Sequence, residues 1–184
     1  MRNIILSAVL ATAILGTSAF GFEQQGVKEG NSAVTLGLRH STIAPDEGHN
    51  LYLTTIDASY SYFVTDGFEV GLGFGLTRTD GGDYENTLFT YTPYIAYNFV
   101  NTSETLVPYI SIGATFLSYE YSENNTAAGS SSGDNGDYSG SALNAELGLK
   151  VFATEDVAIV PALYTIRYSD VENHGLKVGV QFFF

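Results

Sequence analysis

The sequence predicts an all-β fold: eight antiparallel strands joined up and down into a transmembrane barrel, behind a cleavable signal peptide. Three observations lead there. Side chains alternate in character with period two, the pattern of strands rather than the 3.6 of helices. The alternating segments number eight, an even number, each long enough to cross a bilayer at a tilt. The connections between them are short at one end of the hairpins and mostly longer at the other.

The chain of 184 residues suits one domain. Its first segment carries Arg2 as a positive n-region, an apolar run from Ile4 to Leu15, and Thr17-Ser18-Ala19 as a small-residue cleavage site. That divides the chain into a signal peptide over 1–19, a short segment over 20–30 and a barrel over 31–184. The leading run is shorter than a spanning helix, which needs about 20 apolar residues, and no later stretch approaches that length. With 7 basic against 20 acidic residues and a formal charge of −13, the chain lacks the clustered Lys and Arg that bind nucleic acid. Without cysteine it has neither a disulfide to form nor a lipidated N-terminal Cys to offer.

The first two strands are expected near 33–41 and 51–63. The third shows the alternation best: Phe68, Val70, Leu72, Phe74 and Leu76 oppose Glu69, Gly71, Gly73, Gly75 and Thr77. Weaker alternation marks 87–99 and 105–121. The sixth strand sets Leu143, Ala145, Leu147, Leu149 and Val151 against Ala142, Asn144, Glu146, Gly148 and Lys150. A seventh is expected near 157–169, and in the last Leu176, Val178, Val180, Phe182 and Phe184 oppose Gly175, Lys177, Gly179, Gln181 and Phe183. Tight turns are expected at 64–67, 101–104 and 153–156, longer loops at 42–50, 80–86 and 122–138, and a short link at 170–173.

Volume decides which face points outward. Side chains just fill the interior of an eight-stranded barrel, which suits the set rich in Gly, Ser and Thr, whereas the bulky set would overfill it. An outward apolar belt of that size exceeds what a soluble monomer exposes, so its solvent is lipid. Lipid offers the backbone no hydrogen-bond partners, and only helices or edge-free barrels span it. Aromatics fall in two bands suited to the interfaces: Tyr60, Tyr62, Phe68, Tyr97, Phe99 and Phe184 near the tight turns, and Phe89, Tyr91, Phe116, Tyr164 and Tyr168 near the loops.

The signal segment, the alternating strands, the turn and loop asymmetry and the ending Val178-Gly179-Val180-Gln181-Phe182-Phe183-Phe184 resemble the small eight-stranded outer-membrane barrels of Gram-negative bacteria, of the OmpX and OmpA-membrane-domain kind. The resemblance covers about 31–184. It implies that both termini face the periplasm and the loops face outside. It also implies that Val178, Val180, Phe182 and Phe184 form the terminal signal read by the barrel-assembly machinery.

Arg39, Asp57, Glu69, Glu146, Lys150, Arg167 and Lys177 share the inward parity, four positive against three negative. A buried charge needs a partner to offset its desolvation. These residues are therefore expected to form an interior polar network centred on Glu146, Arg167 and Lys177. The competing use of such a lining is a narrow path for ions or small solutes. In the Gly/Ser-rich stretch 122–138, Asp134, Asn135 and Asp137 could meet a divalent cation, but their spacing departs from a calcium loop, and a solvated surface loop is the expectation. A rim-located lipid-modifying enzyme is the rival from another class. Its material is His40, His49 and His174; Ser41 adjoins His40, but strand neighbours point to opposite faces, so the pair cannot act as nucleophile and base. The reading is a monomeric outer-membrane barrel with a structural or surface-interaction role, without metal or cofactor. Its expected partners are outer-membrane lipid and lipopolysaccharide, the barrel-assembly machinery and a surface ligand met by the outer loops, with no nucleic acid among them.

Overall fold

The computed structural model describes residues 26–43, 51–81, 84–100, 105–120, 137–168 and 171–184. Within them the chain forms β1 (Ser32–Ile43), β2 (Leu51–Thr65), β3 (Phe68–Gly81), β4 (Tyr84–Asn98), β5 (Leu106–Glu120), β6 (Asp137–Thr154), β7 (Val157–Tyr168) and β8 (Val171–Phe183). Each strand pairs antiparallel with its chain neighbours, and β1 pairs with β8 to close the barrel. Closure gives each strand a neighbour on both sides, as a span through lipid requires.

The alternation resolves into an outside and an inside. Leu36, Leu38, Ile56, Leu72, Phe74, Ile112, Leu143, Leu147 and Leu163 are exposed on the outer surface. Thr35, Ser61, Glu69, Thr92, Thr115, Lys150 and Gln181 are buried within. Tyr91 stacks on Phe116 and Tyr97 meets Phe99 edge-on along the outside. Both described tight turns follow a register shift, between Phe63 and Thr65 and between Phe152 and Thr154. Gly67 in the first of them adopts φ +80°, which an L side chain adopts only under strain.

Three features depart from the sequence-based expectation. The strands run further at the loop end: β3 reaches Gly81, β4 starts at Tyr84, and β6 starts at Asp137, inside the stretch expected to be loop. Once a register is set, each further pair satisfies backbone groups, but beyond the bilayer nothing demands an apolar face, so the alternation that marks a strand fades. Tyr164 lies inside and is buried, not in the outer aromatic band. The lumen is also less polar than expected. Its tight-turn end is filled by an apolar cluster containing Phe63, Phe152, Phe183, Val107 and Val27.

Candidate functional site

Six charged side chains meet in the lumen, one each from β1, β2, β3 and β8 and two from β6. At the inner level, Lys150 Nζ lies 2.6 Å from Glu69 Oε2, and both side chains are almost wholly buried. Asn98 Nδ2 donates to the same carboxylate at 3.2 Å and the Tyr94 hydroxyl at 3.2 Å, with Gln181 Nε2 at 3.5 Å. The Lys150 ammonium also stands over the rings of Phe63, Tyr109 and Phe183 at 5.1, 5.5 and 5.7 Å. It therefore closes the polar layer against the apolar floor beneath it, where Phe152 stacks on Phe183 at 5.2 Å.

The second level is a relay of alternating charge. Lys177 Nζ donates to the two Glu146 oxygens at 3.2 and 3.1 Å and lies 3.7 Å from Asp57 Oδ1. Arg39 Nε lies 3.4 Å from Asp57 Oδ2. The Tyr109 hydroxyl donates to Glu146 and bridges the two levels, while the Arg39 guanidinium sits 5.6 Å over the Tyr164 ring. Nearer the loop end, hydroxyls pair across strands: Thr55 with Thr77 at 2.7 Å, and Thr92 with Thr115 at 2.9 Å, where Asn144 also donates at 3.2 Å.

Glycine makes the room this network occupies. Gly37, on β1, faces Asp57 on β2 and Gly179 on β8, and Asp57 faces Gly75 on β3. A Cβ on Gly75 would lie 2.6 Å from Thr90 Oγ1 and 3.3 Å from Arg39 Nη2. What remains is a cavity of about 70 Å³ bordered by Arg39, Asp57, Tyr94, Glu146, Lys177 and Gln181. That is space for a few waters, each needing about 10–15 Å³ by this measure.

The structure brings Arg39, Asp57, Lys177 and Glu146 into one chain of ion pairs and Glu69 with Lys150 into a second, buried pair. Arg167 must be corrected: it is exposed, opposite Leu143 in register, on the face that carries Leu163. The inward parity of β7 belongs instead to Ala158, Val160, Ala162, Tyr164 and Ile166. On this strand the inside is the more apolar face, so ranking faces by polarity inverted it. Without Arg167, three cations (Arg39, Lys150, Lys177) face three carboxylates (Asp57, Glu69, Glu146) in the lumen among the described residues, so their formal charges cancel.

Sequence reasoning missed the aromatic floor and the neutral donors Tyr94, Asn98, Tyr109 and Gln181. Phe183 and Gln181 already stood on the inward parity of the last strand, which is the signal that could have found them. Val178, Val180, Phe182 and Phe184 are exposed on the outer face. His40 and His174 are exposed too, with Thr54 Oγ1 3.5 Å from His40 Nδ1, and Ser41 faces Gly175 in register. Asp134, Asn135 and His49 lie outside the described residues; Asp137 opens β6 opposite Glu120.

An apolar outer surface around a closed, internally neutralised lumen defines an eight-stranded membrane barrel. Residues 7–184 match the family model described as outer membrane protein beta-barrel domain, and the chain belongs to that family. It is accordingly an outer-membrane protein of the Gram-negative type. Among solved structures, it is similar to the N-terminal β-barrel domain of Pseudomonas aeruginosa OprF at 20% identity and TM-score 0.59, covering 85% of this chain and 98% of that one. Ail, the attachment invasion locus protein of Yersinia pestis, aligns at 18% identity and TM-score 0.60 over 85% and 99% of the two chains. Neisserial surface protein A aligns at 14% and 0.62 over 84% and 99%. At these identities the likeness is one of fold. No curated protein matches the chain by sequence.

Proposed function

We propose that this protein is a non-conducting outer-membrane barrel whose work is done at its surface, with the lumen serving as an internal brace. The observation that supports this reading is the filling of the lumen: balanced ion pairs across the middle and an apolar floor at the tight-turn end. A mobile ion crossing it would have to separate pairs that are already neutral and then enter a layer of Phe rings, where a bare charge is costly. Planar-bilayer recording of the purified protein tests the reading. Silence is expected, and large, stable conductance steps would replace it with the narrow-channel alternative.

In this reading residues 1–19 are removed on export, the protein acts as a monomer, both termini face the periplasm, and the strand connections over 44–50, 82–83, 121–136 and 169–170 face outside. Val178, Val180, Phe182 and Phe184 serve as the terminal assembly signal. The outer connections carry Asp46, Glu47, Asp83, Glu123, Asp134 and Asp170 and contain no Lys or Arg. Ail has been crystallised with a heparin analogue, sucrose octasulfate. For this chain the acidic connections favour neutral or cationic groups, or lipopolysaccharide sugars, over a sulfated polyanion. A whole-cell pull-down with and without residues 122–136 tests the surface role: loss of a captured partner on deletion supports it, and unchanged capture argues against this loop.

A further inference from the structure

Ahead of β1, residues Gly26–Asn31 turn across the tight-turn mouth of the barrel and are anchored there. The Gly67 N–H donates to Val27 O at 3.0 Å and the Gly30 N–H to Phe63 O at 2.9 Å, while the Phe63 N–H returns a bond to Asn31 O at 2.9 Å. The Glu29 N–H donates to Asp66 Oδ1 at 2.9 Å. Val27 is 2% exposed, inserted among Phe63, Phe152, Phe183 and Val107. Gly26 lies so close to the Phe183 ring that a Cβ there would fall 2.6 Å from its carbons. Gly30 takes φ +89°, turning the chain into β1. Immediately after Asn31, Ser32 exchanges the terminal bonds of the β1–β8 seam with Phe184, at 2.9 and 3.0 Å.

The seat for this strap is assembled from distant parts of the chain. Phe63, Asp66 and Gly67 belong to the β2–β3 hairpin, Phe152 to β6 and Phe183 to β8. The strap's hydrogen bonds go to the β2–β3 hairpin, but the apolar pocket around Val27 is complete only when β8 has paired with β1 and brought Phe183 to it. Six residues carry too little contact of their own to be ordered before that. We propose that Gly26–Asn31 is a latch that docks only on the closed barrel, covers the aromatic floor and holds the β1–β8 seam shut. The inference rests on the seam geometry and stands apart from the question of whether the lumen conducts.

A latch that docks after the rate-limiting step of closure acts on unfolding and leaves folding alone. The test uses the chain from residue 20 onward, refolded into phosphatidylcholine vesicles, with urea-driven unfolding and refolding rates measured for wild type and Val27→Ser. Unfolding is expected to accelerate roughly tenfold, with refolding within about twofold of wild type. Slowed refolding with unchanged unfolding would place docking before closure and overturn the proposal, as would two unchanged rates. If Val27→Ser does not refold, Val27→Ala carries the same comparison. An independent readout uses the absence of native cysteine. In detergent micelles, Val27→Cys should react with a maleimide at least about 100-fold more slowly than Glu155→Cys in the exposed β6–β7 turn, because reagent access requires local opening. Equal rates would show that the strap is not docked.

Discussion

Replacing Lys150 by Met isolates the worth of the inner ion pair. Met preserves much of the contact with Phe63, Tyr109 and Phe183, so the change is mainly electrostatic. It removes the 2.6 Å ammonium partner and leaves Glu69, 2% exposed, with three neutral donors from Asn98, Tyr94 and Gln181 at 3.2, 3.2 and 3.5 Å. A buried charge stripped of its counter-ion typically costs about 3–5 kcal/mol. The neutral donors offset part of that, so a loss of about 3 kcal/mol, at the lower end, is expected. Neutralising both partners in Glu69→Gln/Lys150→Met should recover all but about 1 kcal/mol, because the desolvation penalty disappears with the charges. Reversible urea unfolding in lipid vesicles, followed by far-ultraviolet circular dichroism, measures each variant. A Lys150→Met barrel within about 1 kcal/mol of wild type, or a double variant as unstable as the single one, would refute the view that the lumen is held by paired charge.

Leu72 and Gly73 test the assignment of faces: Leu72→Arg should cost about 2–4 kcal/mol if it lies near mid-bilayer. Gly73→Ser should fall within about 0.5 kcal/mol of wild type, because the nearest atoms to a new Cβ there stand at 3.6 Å; vesicle refolding yields and urea midpoints compare the two. Gly75→Ala should lose about 1–3 kcal/mol by the same midpoint assay, since its Cβ would press on Thr90 and Arg39. Arg167→Gln is expected within about 0.5 kcal/mol of wild type, as a surface change. Arg39→Gln, which strips the Asp57 carboxylate of one cation, should cost measurably more.

Most of the architecture was legible in the sequence because lipid imposes a severe rule: every second residue of a spanning strand must be apolar. The residues that obey it, from Leu36 and Leu72 to Leu147 and Val178, declare their face one by one. The rule weakens at two places. Beyond the bilayer, at Gly81, Tyr84 and Asp137, pairing continues for the sake of the backbone alone, and the strand ends cannot be read from alternation. Inside the barrel, a lumen residue needs only to fit its neighbours. Ala, Val, Ile and Tyr on β7 serve as well as Ser or Thr, and the polarity ranking that works on β3, β6 and β8 misplaces Arg167. Partners within the lumen are set by register around the whole barrel: nothing local in the sequence brings Glu69 to Lys150, which is 81 residues away.

The terminal Phe182-Phe183-Phe184 shows how one run can serve separate demands. Phe182 and Phe184 are exposed on the outer face at 42% and 69%, whereas Phe183 is 4% exposed and joins Phe63, Phe152 and Val27 in the floor of the lumen. Truncating Phe183 opens a cavity in packed protein, and Phe→Ala in such a site costs about 3–5 kcal/mol. Truncating Phe182 removes a lipid-facing side chain and leaves no cavity in packed protein, so its effect on equilibrium stability should be the smaller of the two. If the outer pair is the assembly signal, Phe182→Ala should reduce the amount of barrel delivered to the outer membrane by more than its smaller shift in urea midpoint accounts for. Phe183→Ala should lower the midpoint itself. Equal midpoints for the two variants would mean that the inward ring contributes no packing beyond its lipid-facing neighbour, and the floor would lose its structural role.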